Sequence, residues 1–344
     1  MVSKRLIASA FATFAISGLV AAVPAAAQTT LTLSAWVPPQ HLLTRAMLEW
    51  ADEVEKASGG RIKHTLVPKA VAAPPGTFDA VRDGLADVSF SVDGYTPGRF
   101  VLTRMAEFPQ LGDTATSVSV AYERISRKYF AKANEHNGVR VLTVFTHGPG
   151  EIYNTKRPIN TIGDLAGLKI RVGGGMINEL AKNLGVDALL KPAPQSYEIL
   201  SSGVADGVFF PAESIASFKL EKLIKYATLV PGGLYNTSFA FIMNPDKYNK
   251  MSPADKKVID DWSGEKLARL VGKFWDKGDE IGREALKTNN VPTITANAAF
   301  LAELNTKIGP LEQSWFKLAA EKGIDGQKVL AEFRAEVKKA AAGQ

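Results

Sequence analysis

The chain has 344 residues, no cysteine, and 41 Lys plus Arg against 35 Asp plus Glu, for a formal net charge of +6. Without cysteine there are no disulfides, thiolate metal sites or cysteine nucleophiles. The small basic excess is spread along the chain with no dense Lys/Arg patch interleaved with aromatics, so nucleic acid is not an expected partner.

Lys4 and Arg5, a charge-free apolar stretch at 6–23 and then Ala25-Ala26-Ala27 follow the pattern of a secretory signal peptide. The expectation is cleavage after Ala27 and a periplasmic protein of residues 28–344. Charges or Gly/Pro interrupt every later apolar run, so a membrane-embedded protein is not expected. The length suggests two domains.

Residues 30–37 alternate as a strand, with Leu31, Leu33 and Ala35 on one face, and Pro38-Pro39 ends it. At 42–57 a helix is expected, because Leu43, Ala46, Met47, Trp50, Ala51 and Val54 form one apolar stripe. Ser58-Gly59-Gly60 stops it. A strand at 61–67, a helix at 78–85 and a strand at 88–92 repeat the unit. Further strands are expected at 139–145, 168–172, 207–210 and 235–243, with short helices at 162–166, 176–184 and 197–202. Ser252 as N-cap, Pro253 at the first helical position and Asp255 at the third open a long helix reaching about residue 287. Gly264, Gly272, Gly278 and Gly282 weaken it, so packing must hold it. The tail from 298 reads as helical. This alternation argues for α/β layers with mostly parallel sheets. With no linker, two domains should exchange strands or share long elements, and a ligand should sit in the crevice at the strands' carboxyl ends.

An ordered set of short motifs runs through the chain. It includes Trp36, Pro38-Pro39-Gln40-His41, Gly60-Arg61-Ile62-Lys63, Phe78-Asp79-Ala80-Val81-Arg82-Asp83-Gly84, Gly167-Leu168-Lys169-Ile170-Arg171, Leu184-Gly185, Tyr197, Leu200, Gly203 and Asp206-Gly207. This set resembles the substrate-binding subunits of tripartite ATP-independent periplasmic (TRAP) transporters, in the dicarboxylate-binding-protein family. The resemblance implies an α/β venus flytrap of two lobes with crossing strands and a long helix spanning both. Lobe 1 would be 28–144 plus about 237–275, and lobe 2 would be 145–236 plus about 276–344. Capture of a small organic carboxylate without chemistry or cofactor is implied, with delivery to the small and large membrane subunits of a TRAP transporter. It also implies a salt bridge from the arginine of the Lys-Ile-Arg strand, here Arg171, to the ligand carboxylate.

The residues support that role independently. An arginine at the carboxyl end of a buried strand is costly unless paired, and a forked guanidinium matches a carboxylate in bidentate geometry. The pairing could instead be with an acid of the chain itself. Gly173-Gly174-Gly175 would let amides at the next helix start approach an anion as well. Relatives with a polar residue after Asp-Gly differ from this chain, which has Val208-Phe209-Phe210-Pro211, and Glu151 stands near where some branches place a second arginine. Both departures favour a monocarboxylate with an apolar or aromatic body, 2-oxo and 2-hydroxy acids included. One of Phe209 and Phe210 should be plain core, since successive strand residues face opposite sides. Trp36 and Tyr95 at strand ends, His147 after a strand, and Tyr235 and Asn236 at the chain's return crossing complete the candidates. His41, His64, His136 and His147 lack ligand spacing, so no metal site is expected. There is no P-loop, nucleophile elbow or His-Glu-x-x-His, so no enzyme is expected. A binding protein for an ATP-driven importer or a signalling receptor would share the flytrap mechanism, and a lyase or dehydratase would need an acid/base pair in the cleft.

Overall fold

Apolar alternation and turn residues produce eleven strands among residues 28–344, which the structure, a computed structural model, describes. The expected signal segment lies outside the described residues. In chain order the strands are β1 Thr29–Leu33, β2 Ile62–Leu66, β3 Val88–Val92, β4 Arg140–Thr146, β5 Gly150–Asn154, β6 Lys169–Val172, β7 Asp187–Leu190, β8 Gly207–Pro211, β9 Tyr226–Leu229, β10 Ser238–Met243 and β11 Thr293–Thr295. They form two sheets, ordered β2-β1-β3-β10-β4 and β11-β9-β5-β8-β6-β7, one for each lobe. The chain crosses from β4 to β5 and returns from β9 to β10. The sheets are mixed rather than mostly parallel. The strands that follow the crossings run against their neighbours, β5 against β8 and β9, and β10 against β3 and β4.

Helix Leu42–Ala57 buries the stripe read from its sequence, from Leu43 to Val54, against the first sheet. The long helix expected from Ser252 is two helices. Ser252 caps Pro253–Asp261 by accepting from Asp255 N, and a second helix, Glu265–Thr288, starts after a break at Gly264. Gly264 has φ 66°, a left-handed conformation that favours glycine, and donates its N–H to Leu142 O at 2.7 Å. The tail is likewise two helices, Ala298–Glu321 and Gly326–Ala341, divided at Gly323 with Asp325 capping the second. Ala298–Glu321 lies against Met176–Asn183, and Gly326–Ala341 lies along Ala115–Ile125, so the tail touches both lobes.

Helix Glu265–Thr288 joins the lobes, packing on Leu42–Ala57, Ala115–Ile125 and β4 on one side and on helix Ala212–Ser217 on the other. Its glycines make this approach possible. A Cβ would stand 2.5 Å from Thr116 Cα at Gly272, 2.3 Å from Glu213 Cγ at Gly278, and 1.8 Å from Ala212 O at Gly282. The helix propensity lost at each glycine, about 1 kcal/mol, is offset by backbone contact that no side chain would permit. Gly282→Ala is therefore expected to destabilise the protein by about 1–3 kcal/mol through overpacking. Gly309→Ala, in a helix with nothing within 4 Å of the added methyl, should stabilise it slightly. Urea unfolding midpoints of the two variants check this, and equal shifts would contradict the packing role of Gly282.

Candidate ligand-binding site between the lobes

The two crossing segments are tied to each other. Gly150 N donates to Tyr235 O and Leu234 N to Gly150 O, both at 2.8 Å, and a Cβ at Gly150 would strike the Tyr235 ring. Beside them a cavity lies between the lobes. Trp36, Tyr95, Phe210, Phe218, Tyr235 and Trp275 supply its aromatic wall, and the polar lining is His41, His147, Arg171, Ser214 and Thr237.

Arg171 sits in β6, between the parallel neighbours β7 and β8, and is only 2 % exposed. Its Nε donates to Lys191 O at 2.8 Å, its Nη2 reaches Tyr95 Oη at 3.4 Å, and its guanidinium lies 4.3 Å over the Phe210 ring. Among the described residues no carboxylate comes within salt-bridge distance of it, and it is the only Lys or Arg lining the cavity. Tyr95 reaches across from the first lobe. Its hydroxyl oxygen also accepts from Ala193 N at 3.0 Å, which leaves its proton free to donate.

The two lining histidines are neutral. Burial lowers His147 to about 4. Its Nδ1 faces Gly148 O, so Nδ1 carries the proton and the bare Nε2 accepts from the Thr237 hydroxyl at 2.9 Å. Burial likewise lowers His41 to about 3. Its Nδ1 accepts from Leu43 N at 3.1 Å, and its Nε2 stands 3.3 Å from Glu213 Oε1 of the other lobe, a contact that is not an ion pair while the ring is neutral. Glu213 is raised to about 7 by burial, against the hydrogen bonds from Ser217 and Ser214. Asp279, on the joining helix, is raised to about 8 by burial and by the Glu213 charge, with Arg283 opposing.

Of the residues singled out from sequence, Trp36, Tyr95, His147, Arg171, Phe210 and Tyr235 line the cavity. Phe209, Glu151 and Asn236 do not. Phe209 faces the opposite side of β8 into the core, and its carbonyl accepts from the Tyr235 hydroxyl at 2.9 Å. Glu151 turns beneath the crossing, where Oε2 accepts from Val230 N at 2.6 Å and burial raises its carboxyl well above the usual range. Asn236 donates to His147 O at 2.8 Å and Gly148 O at 3.2 Å, fixing the crossing. The helix start after Gly173-Gly174-Gly175 meets an anion of the protein's own. Glu107 Oε2 accepts from Met176 N at 2.7 Å, and Gly175 leaves room for that carboxylate. His41, Ser214, Phe218, Thr237 and Trp275 were not singled out from the sequence. Thr237 was the easiest to find, being the next residue along the crossing.

A cavity at the crossing of two α/β lobes, walled by aromatic rings and holding one cationic side chain, defines a two-lobed solute-binding protein. The chain belongs to the DctP family, described as bacterial extracellular solute-binding protein, family 7, whose profile matches residues 33–318. It is similar to a TRAP periplasmic solute-binding protein of Bordetella bronchiseptica, solved with (R)-mandelate and (S)-mandelate bound, at 48 % identity and TM-score 0.89, over 91 % of this chain and 99 % of that one. It is similar as well to a marine metagenome TRAP solute-binding protein specific for aromatic acid ligands, solved with metahydroxyphenylacetate, at 32 % identity and TM-score 0.85, over 91 % and 99 % of the two chains. A curated relative from Comamonas testosteroni, called outer membrane transporter protein TsaT, is 31 % identical over 325 residues, covering 93 % of this chain and 96 % of the relative. The resemblance to TRAP substrate-binding subunits thus holds over most of the chain.

Glu213 gives the site a pH signature. Its pKa in the folded protein, about 7, lies above the ordinary 4.5. The associated stability is complete below about pH 4.5 and is lost as pH rises through about 7. His41 and His147, with lowered pKa values, act in the opposite direction below about pH 6.5, so the Glu213 contribution is read as a difference: the stability of Glu213→Gln relative to wild type should rise by on the order of 1–3 kcal/mol between pH 5 and 7. Superimposable pH profiles for the two proteins would contradict it.

Proposed function

We propose that the protein captures a small aromatic monocarboxylate in the periplasm and delivers it to the membrane subunits of a TRAP transporter, without chemistry. The observation that carries this reading is a buried Arg171 with no carboxylate partner among the described residues, lining a cavity walled by aromatic rings. Its Nη atoms and the free proton of the Tyr95 hydroxyl offer donors that suit a carboxylate. One guanidinium with two neutral histidines balances one negative charge, which disfavours diacids. Trp36, Phe210 and Phe218 favour a flat apolar body. That both solved relatives hold aromatic acids agrees with this reading. The absence of chemistry is supported by the histidines, since both ring nitrogens of His147 are engaged by the protein itself and burial keeps His41 neutral.

Tyr95 and His41 belong to the first lobe, Arg171 and Glu213 to the second. A ligand held between them would favour the closed form over an open one, because its contacts are complete only on closure. The flexing segments in this reading are the crossings at 147–149 and 230–237.

Thermal-shift measurements on residues 28–344 test the substrate class. The panel is aromatic monoacids, aliphatic 2-oxo and 2-hydroxy acids, C4-diacids and sugar acids. A ligand at about 100 times its Kd should stabilise the fold by about 2.7 kcal/mol, and aromatic monoacids should do so best. Stabilisation by diacids or sugar acids alone would contradict the reading. Arg171→Ala should weaken binding of the best acid by about 1.5–3 kcal/mol, and unchanged affinity would remove Arg171 from the site.

A further inference from the structure

Gly173-Gly174-Gly175 follows the strand that carries Arg171, and the fold requires only two of these glycines. Gly174 has φ 90°, and a Cβ on it would strike Gly94 O. Gly175 has φ 72°, and a Cβ on it would strike the Glu107 carboxylate. A side chain is strained by the backbone and crowded by neighbours at both positions. Gly173 is different. Its φ is not left-handed, and a Cβ on it would meet nothing closer than 3.5 Å. Alanine fits there, so neither backbone conformation nor protein packing explains the missing side chain.

What lies in that direction is the cationic end of the cavity. Gly173 is buried and lines the cavity together with Arg171, Tyr95 and Ala193. The atoms nearest to its absent side chain are Arg171 Nη2 at 3.5 Å, Tyr95 Cε1 at 3.7 Å and Arg171 Cζ at 4.0 Å. Elsewhere the guanidinium is covered by the protein, with Lys191 O on Nε and the Phe210 ring against its face. Beside Nη2, at Gly173, the wall is bare backbone. A carboxylate oxygen paired with a guanidinium stands about 2.8 Å from the nitrogen. A methyl centred 3.5 Å from that nitrogen would compete for the same space.

Building on the aromatic-monocarboxylate reading, we propose that Gly173 is the seat of the ligand carboxylate: the space left by its missing side chain, between Arg171 Nη2 and the Tyr95 ring, receives the anion. Gly173 is then a positioning residue. It offers the ligand no side chain of its own and lets the carboxylate reach the guanidinium with the Tyr95 hydroxyl at hand. Tyr95 comes from the first lobe and Gly173 from the second, so the seat is whole only when the lobes are together.

Isothermal titration of residues 28–344 with benzoate, phenylacetate and 3-phenylpropionate tests this on the wild-type protein and Gly173→Ala. The variant should bind every acid that the wild type binds roughly tenfold more weakly or worse, as overpacking a filled space does, and by the same factor within about twofold whatever the length of the acid. Its melting temperature without ligand should match that of the wild type, whereas Gly174→Ala, strained at φ 90°, should melt lower. A loss that grows from benzoate to 3-phenylpropionate would put Gly173 beside the aromatic body and overturn the seat. A fall in unliganded melting as large as that of Gly174→Ala would make the glycine structural and overturn it too. If Arg171→Ala loses binding while Gly173→Ala binds as the wild type does, the seat falls and the aromatic-acid reading stands. If the wild-type protein binds none of the three acids, both fall.

Discussion

The site turns on a guanidinium removed from water with no carboxylate among the described residues to balance it. Moving such a charge inward costs several kcal/mol even after the surroundings relax. Lys191 O, the Tyr95 hydroxyl and the Phe210 face recover part of that cost, but none of them carries a negative charge. The neighbourhood is arranged around this single cation. Burial, with the Arg171 charge adding to it, keeps His147 neutral, and His41 is neutral for want of solvent. A cavity built this way is short of one negative charge, which in the proposed function an anionic ligand supplies.

Holding that cation in place requires close backbone packing across the lobes. Gly278 and Gly282 let the joining helix press on Glu213 and Ala212, and Gly148 leaves room for Asp279. Gly94 and Gly174 allow the lobes to touch backbone to backbone, where a Cβ at Gly174 would lie 2.4 Å from Gly94 O. Glu107 fastens the same seam, accepting from Met176 N in one lobe and from the Ser238 hydroxyl at 2.6 Å in the other. Burial raises its carboxyl, while the hydrogen bonds from Met176 and Ser238 pull the other way. These contacts stand beside the cavity, so the closure proposed above would bring them together around a ligand.

Much of this was legible in the sequence where periodicity is strong. The stripe from Leu43 to Val54 and the alternation at Val88, Phe90 and Val92 were recovered as helix and strand. Helix Ala115–Ile125 was missed because nearly every face of it is buried, from Ala115 through Ile125, so it carries no amphipathic stripe. Strands β7, β9 and β11 are three or four residues long, too short to show a period. Arg171 could be found because a charge inside an apolar strand contradicts its surroundings. The chain reversal that makes β5 and β10 antiparallel left no local mark. Trp275 could not be found at all, since on a helix it reads as one more core aromatic, and only its missing hydrogen-bond acceptor sets it apart. Glu151 misled because it stands near where some relatives place a second arginine, whereas its carboxylate serves the Val230 amide.

The most direct measurement is calorimetric binding of phenylacetate against phenylacetamide, which has nearly the same shape and no charge. If the unpaired guanidinium is the anchor, the amide should bind about 10- to 100-fold more weakly, the span of a charge-assisted hydrogen bond. Equal affinity for acid and amide would mean that shape alone holds the ligand and that Arg171 does not need the anion.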